Sequence, residues 1–302
     1  MTPKVSIGLP VHNGERFLPQ ALDSILAQSF EDLEVVICDN ASTDRTEEIC
    51  RDAAARDARI RYHRQAENIG AAGNYNDTFR RSRGAFFKWA AHDDLIAPDF
   101  VARCLAALES DPAAAVAFAR MREIDAEGQV LRDYAADIAW EGATPSSRLE
   151  SLLCAPHDRT HIHRCVPITG LMRAGMLART RLIGRFNGSD KVALVELALL
   201  GDFAEVPARL FFRRMHAGTS LAANPSPQAL RRWFDPKARG GIVTPRSRLF
   251  AEYVRAVLRA PVGPAEKAAC ARVLARLMSR DWRVFGGEIK RALRPSVEGP
   301  RP

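Results

Sequence analysis

Four times in about its first 110 residues, the sequence passes from a short apolar run to a polar cluster and then to apolar positions at helical spacing. The apolar runs are Val5 to Pro10, Leu33 to Asp39, Ile60 to Arg64 and Ala85 to Ala90. After the first run, Phe17, Leu18, Ala21, Leu22, Ile25 and Leu26 recur on one helical face, with Pro19 in the first turn, where its missing N–H costs least. The second run ends in Asn40-Ala41-Ser42-Thr43-Asp44, all but one of them helix-opening residue types, and a helix to about Ala55 follows. Asn68-Ile69-Gly70 turns into a helix to about Arg81, and a fourth helix runs from Pro98 to Leu108. Strand–helix alternation of this kind predicts a parallel sheet covered by helices on both faces.

The fourth run carries the strongest chemical signal. Ala85-Phe86-Phe87-Lys88-Trp89-Ala90 suits a strand buried on both faces, and it leads straight into His92-Asp93-Asp94. Adjacent carboxylates at the end of a buried strand repel and lose hydration. A hard divalent cation, Mg²⁺ or Mn²⁺, relieves both penalties and also holds substrate phosphates. In open α/β sheets ligands bind beyond the carboxyl ends of the strands, where this pair would sit. The plainer alternative makes them solvated loop acids, with Asp94 capping the next helix.

Beyond residue 110 the pattern loosens. Ala114 to Ala119 reads as a strand and Ala126-Glu127-Gly128-Gln129 as a hairpin turn. Helices are expected around Arg173–Arg179 and Lys191–Leu200, and a late strand over Leu210–Met215 ending at His216. Arg248–Arg259 and Pro264–Arg283 form basic amphipathic helices. The expected organisation is a catalytic-type domain over residues 1–220, with halves 1–120 and 121–220, and a basic helical extension over 221–302.

Charge follows that division. Residues 207–302 hold 20 Lys and Arg against 6 Asp and Glu, whereas the first 206 hold 24 against 30. The basic end points to an anionic partner, such as a membrane surface or phosphates, or else to a solvated Arg-rich helical face. It lacks interleaved aromatics and any docking motif for nucleic acid, so no nucleic-acid partner is expected. The six cysteines are scattered without a CxxC pair and read as buried small hydrophobes in a reducing compartment. No basic-then-apolar leader opens the sequence and no stretch is apolar enough to span a membrane. A cytoplasmic protein is expected, with contact at the inner face of the membrane through the basic helices as an option. Homo-oligomer formation is left open.

The nucleotide-binding fingerprints GxGxxG and GxxxxGK[ST] are absent. What is present, in order, is Pro10-Val11-His12-Asn13-Gly14, Asp39-Asn40-Ala41-Ser42-Thr43-Asp44, Asn68-Ile69-Gly70 with Asn74-Tyr75-Asn76, and His92-Asp93-Asp94. This series resembles the family 2 glycosyltransferases of the inverting GT-A fold, over roughly residues 4–120 and more loosely through Gly188-Ser189-Asp190 and Arg213-Arg214-Met215-His216.

The resemblance implies a GT-A-type, Rossmann-like, mostly parallel sheet and a nucleoside-diphosphate-sugar donor (UDP, dTDP or GDP). It implies Pro10, His12 and Asn13 beside ribose and base, with Asp39 and Asn40 on the base edge. Asn68 belongs to a turn that serves either the ligand or its own geometry. Asp94 binds Mn²⁺ or Mg²⁺, Asp93 contacts ribose or sugar, and His216 is a further metal or diphosphate contact. Asp190 is the general base for an acceptor hydroxyl on a saccharide, a lipid-linked saccharide or a small molecule, with an N-cap role as its rival and Glu196 as the weaker base. Two positions depart from the family pattern: Asn40 stands where a second acid is usual, and Tyr75 where an arginine is usual.

Arg213 and Arg214 could meet the diphosphate, although alternation along a strand turns one of them away. His157, His161 and His163 lack the partners of a zinc site. Trp89 reads as core, and Trp140 has no positional support. The rival functions are a sugar-1-phosphate nucleotidyltransferase, whose cationic Gly-rich loop is missing, and a catalytically silent nucleotide- or sugar-binding module.

Overall fold

The computed structural model describes residues 2–134, 142–154, 163–239 and 244–292. Four strands build the first half as expected: β1 (Val5–Val11), β2 (Leu33–Asp39), β3 (Ile60–Arg64) and β4 (Phe86–Trp89). They are joined by α1 (Leu18–Leu26), α2 (Thr46–Arg56) and α3 (Gly70–Arg81). β1 pairs in parallel with both β2 and β4, and β2 with β3. Every residue of β1 and β2 is buried, which is why their sequences are apolar runs rather than alternating ones.

The second half adds β5 (Leu95–Ile96), α4 (Phe100–Ser110), β6 (Ala114–Ile124), β7 (Val130–Asp133), α5 (Pro145–Cys154), β8 (Leu171–Arg173), α6 (Ala174–Leu177), α7 (Ser189–Ala198) and β9 (Asp202–Arg214). A 3-10 turn over His163–Thr169 precedes β8. The sheet runs β3-β2-β1-β4-β8-β6-β9-β5, with β7 paired to β6 as the expected hairpin. β1, β2, β3, β4, β6 and β9 share one direction, and β5, β7 and β8 oppose it. Three residues of β8 join the two halves, pairing antiparallel with β4 on one side and β6 on the other.

Polar locks close the amino-terminal edge of the first half. Ser6 donates to the buried Glu34 at 2.7 Å, and Glu34 also takes the Arg83 N–H at 2.8 Å and an ion pair from Arg61 at 3.0 Å. The carboxyl edge carries the loops that hold the polar clusters.

The remaining chain is helical: α8 (Ser220–Ala223), α9 (Pro227–Phe234), α10 (Pro245–Arg259) and α11 (Pro264–Ala292). α9 lies on α3, α10 on α7, and α11 on α5 and α10. Tyr253, Val257, Cys270, Leu274 and Leu277 of α10 and α11 belong to the same contiguous apolar core as the sheet. Among the described residues no helix is long and apolar enough to cross a membrane.

Candidate functional site

The loop after β1 and the loop after β2 are tied to each other. Asn13 and Ala41 both adopt positive φ, 51° and 58°. The Asn13 N–H donates to Ser42 Oγ at 2.9 Å, and its side-chain oxygen accepts the Thr43 N–H at 2.8 Å. Asp44 accepts the Thr46 N–H at the start of α2 and the Glu15 N–H across the loop, each at 3.0 Å. It opens the helix, as its place in the sequence suggested, and also pins the neighbouring loop.

Behind this rim lie the acid and amide of β2. Asp39 exposes no surface. It accepts the Ser42 N–H at 2.9 Å and the Tyr62 hydroxyl at 2.8 Å, with Arg64 3.5 Å away. Burial and then the Asp39 bond push the Tyr62 phenol upward, so it stays a donor. Asn40 is equally occupied. Its amide donates to Asn68 Oδ1 at 2.9 Å and its oxygen accepts the Ile69 N–H at 2.8 Å. Pro10, Asp39 and Asn40 are therefore framework in this arrangement, while His12, Asn13 and Asn68 form the exposed rim. The Asn68 amide and His12 Nε2 lie 3.4 Å apart.

The Asn74-Tyr75-Asn76 motif is structural on both sides. Asn74 donates to the Cys38 carbonyl at 2.7 Å, and Asn76 holds the backbone of Ile183 through two bonds at 2.9 and 3.0 Å. Between them Tyr75 turns the other way. Burial first, and then the charges of Asp93, Asp94 and Asp190, raise its phenol, so all three acids act on one side chain. Trp89, which is core as expected, donates its indole N–H to the Tyr75 carbonyl at 3.0 Å.

Asp93 and Asp94 are held from β9. The Arg214 N–H donates to Asp94 Oδ1 at 2.9 Å, and its guanidinium donates to the Asp93 carbonyl at 2.9 Å, the Ala126 carbonyl at 2.8 Å and Gln20 Oε1 at 2.7 Å. Arg214 is 1% exposed and lies over the Phe17 ring. It is a keystone for the acidic loop, its guanidinium spent on protein groups. Arg213 faces the other way: its charge acts on Asp94 and on Cys165, and it lies 3.6 Å from Glu123.

Burial first, and then the neighbouring Asp93, push the Asp94 carboxyl up to about 7. Lys88, 1% exposed on β4, donates to the Trp89 and Thr169 carbonyls, and burial lowers it to about 8. A cavity of about 10 Å³, room for one water, separates this region from Ser24 and Ala91.

His216 meets Asp93 through Nε2 at 3.0 Å and stacks against Phe17 at 4.4 Å between ring centroids. Its Nδ1 accepts the Gly218 N–H at 3.1 Å, so Nε2 carries the proton given to Asp93. In this arrangement His216 orients Asp93 and has no free lone pair for a metal. Among the described residues no three His, Cys, Asp or Glu side chains form a ready metal cage.

Asp190 lies in the first turn of α7. The residue that caps this helix is Gly188 at φ 81°, with no side-chain cap, so the N-cap role expected as the rival for Asp190 is taken by backbone. Burial first, and then the nearby Asp190 carboxylate, raise the Cys165 thiol. Glu196 is committed elsewhere, paired with Arg181 at 2.5 Å. His157, His161 and Trp140 lie outside the described residues, and His163 opens the 3-10 turn.

A profile of glycosyl transferase family 2 matches residues 6–180. The chain belongs to that family. It is 35% identical to an Escherichia coli chondroitin synthase over 129 residues, 43% of this chain and 19% of that protein. A Rickettsia felis glycosyltransferase of uncharacterised role is 32% identical over 167 residues, 54% of this chain and 26% of that protein. The chain thus spans about a fifth to a quarter of the length of these curated relatives. In fold it is similar to Staphylococcus aureus TarS in complex with UDP, at a TM-score of 0.66 and 17% identity over 93% of this chain and 72% of that one. It is also similar to the Pyrobaculum calidifontis mannosyltransferase PcManGT in complex with GDP-Man and Mn²⁺, at 0.55 and 16%, over 97% of this chain and 86% of that one. The fold is GT-A type, with a curled, mostly parallel sheet.

Proposed function

We propose that this family 2 member transfers a sugar from a nucleoside-diphosphate donor to an acceptor hydroxyl with inversion, and that Asp190 takes the acceptor's proton. The observation that carries this reading is the acid pair at the carboxyl edge of the sheet, Asp94 held by the Arg214 N–H and Asp93 by His216, whose charges act together with that of Asp190 on Tyr75. Three acids whose charges reach one neutral phenol make a site that both attracts a cation and offers a base.

The donor's base and ribose would meet the exposed rim of His12, Asn13 and Asn68. Contact with the Asp39 carboxylate requires the loop over it to shift. Asp93, held in place by His216, would meet ribose or sugar. The acids fit a divalent ion: Asp94 sits beside a second carboxylate in a buried setting that raises it to about 7, and added positive charge relieves that cost. Mn²⁺ or Mg²⁺ on Asp94 would take its remaining ligands from the diphosphate and water, the usual habit of Mg²⁺ at phosphate sites. Such an ion would neutralise charge on the departing nucleoside diphosphate.

Asp190 is in the first turn of α7, and its charge acts on the Cys165 thiol. The acceptor oxygen would form a bond to the anomeric carbon as the carbon–phosphate oxygen bond breaks, and the hydroxyl proton would pass to Asp190. The chondroitin synthase likeness supports a saccharide acceptor, with a lipid-linked saccharide or a small molecule as other members of the same chemical class.

The test compares Asp190→Asn with the unchanged protein. Transfer to acceptor is expected to fall by about 10²–10⁴-fold, while the melting-temperature rise given by the preferred nucleoside diphosphate with Mn²⁺ is unchanged. Near-normal transfer by the variant would remove Asp190 from the reaction. A protein that leaves every donor intact would be a binding module.

A further inference from the structure

The outward face of α11 carries charge of one sign. Arg272, Arg276, Arg280, Arg283 and Lys290 are all exposed along it. From Arg272 to Lys290 is 18 residues, or roughly 27 Å of helix. The helix has three acids, Glu266, Asp281 and Glu288, and none shares that face. Glu266 accepts the Ser146 N–H from α5, and Glu288 accepts from Arg246 and from both the N–H and hydroxyl of Ser247. Asp281 pairs with Arg280 at 3.0 Å, and Arg280 also donates to the Leu153 carbonyl of α5 at 3.3 Å, so that cation is partly spent within the fold. The inward face is apolar, with Cys270, Val273, Leu274, Leu277 and Phe285 buried.

On the flank of this face stands Trp282, 60% exposed, with Arg283 5.6 Å from its ring centroid. An exposed tryptophan on a soluble helix leaves a large apolar body in water. Beside cations, it matches the headgroup layer of a bilayer, where the ring is shielded and the indole N–H stays hydrated. Arg272 and Arg276 also line a cleft of about 600 Å³ against Ser146, Ser147 and Glu150 of α5, with Arg276 paired to Glu150 at 2.8 Å.

We infer that α11 lies flat on an anionic phospholipid bilayer, cations to the phosphates and Trp282 into the headgroup region. Charge complementarity carries this reading, and Trp282 favours lipid over nucleic acid: a rigid polyanion would engage the arginines and leave the ring in water. α11 is too polar to span, and each phosphate contact is screened by salt. Docking would hold the donor site near lipid-borne acceptors, so it extends the proposed activity without depending on it.

The experiment is vesicle flotation of the full chain with no donor present. Vesicles of phosphatidylcholine alone are compared with vesicles holding about 30% phosphatidylglycerol, at low salt and at roughly 0.5 M NaCl. Co-flotation with the anionic vesicles at low salt only is expected. Arg272→Glu, Arg283→Glu and Lys290→Glu combined should weaken it at least tenfold, and Trp282→Ala severalfold, with unchanged melting temperatures. In the unchanged protein the Trp282 emission, taken as the difference from Trp282→Ala, should move to the blue on binding. No flotation with anionic vesicles, or equal flotation by the charge-reversed protein, overturns the inference. Duplex DNA binding as tight as vesicle binding, with Trp282→Ala without effect on either, also overturns it in favour of a general polyanion face. Nucleoside diphosphate binding is read separately on the same proteins, so a failure here leaves the transferase proposal standing.

Discussion

At the scale of single residues, the candidate site is built on an electrostatically unfavourable neighbourhood. Asp94 is half-buried beside Asp93, and among the described residues only a backbone N–H from Arg214 bonds its carboxyl. Burial raises the folded carboxyl to about 7, against an ordinary value near 4. Between those values the folded protein holds a proton that the unfolded chain has lost, so stability falls as pH rises through the window and the loss is complete above about 7. Asp94→Asn removes the charge and keeps an oxygen for the Arg214 N–H. Without metal at pH 8, the variant should therefore be more stable by roughly 1–3 kcal/mol, seen as a melting temperature higher by several degrees. At pH 5 the gain should shrink, and the stabilisation by nucleoside diphosphate with Mn²⁺ should be gone at both. A variant no more stable than the unchanged protein at pH 8 would mean that Asp94 is comfortably ionised on its own.

At the scale of elements, Gly70 shows how the rim of the site is fastened. It opens α3 at φ 79°, and a Cβ there would come within 2.5 Å of the Phe234 carbonyl and 2.6 Å of Pro236, at the end of α9. Lys237 pairs with Glu67 at 2.7 Å on the same seam. Gly70→Ala combines left-handed strain of about 1–2 kcal/mol with that clash, so α9 should lift. Limited proteolysis between residues 216 and 239 should speed up, and nucleotide binding should weaken with it. Unchanged cleavage would mean that α9 is held by its other contacts. The first four strands and three crossovers were legible in sequence because each is a continuous local pattern. β5 and β8 were not: two and three residues are too few for any period, and only pairing with distant strands makes them strands. β9 was read from Leu210 but starts at Asp202, because its early residues alternate too weakly to stand out. The same split runs through the site. Asp93, Asp94 and Asp190 were visible as acids at element ends, whereas Arg214 stood beside Arg213 as a candidate diphosphate contact, one of the two to be turned away by alternation. Its burial depends on Gln20, Asp93 and Ala126, residues 88 to 194 positions away. Asn40 looked like a ligand contact, and only the fold shows that both ends of its amide are spent on the Asn68 turn.

At the scale of the whole molecule, the basic helices are part of what holds the proposed base. α7 is buried nearly all round, with Val192, Ala193, Leu194, Val195, Leu197 and Ala198 all inside, as expected of a helix apolar on every side. α10 supplies part of that cover, and one side chain joins the pieces. Arg181 donates to Glu196 of α7 and to Glu252 of α10, each at 2.5 Å. Its side chain is about one-third exposed, so water offsets much of the pair energy. Glu252, however, is buried and would be left with only Arg255. Arg181→Met should then cost about 1–3 kcal/mol, read as a lower denaturant midpoint. Because the loosened helix carries Asp190 while the nucleotide rim lies on the loops after β1 and β2, transfer should drop more than nucleoside diphosphate affinity. Removing residues 244–302 should be far worse, since it uncovers Leu149, Leu152 and Leu194, each buried beneath α10 or α11 or beside them. That truncated chain should aggregate or lose cooperative melting. If it instead folds with its full melting temperature, the helices are a separable appendage, and Asp190 owes its position to the sheet alone.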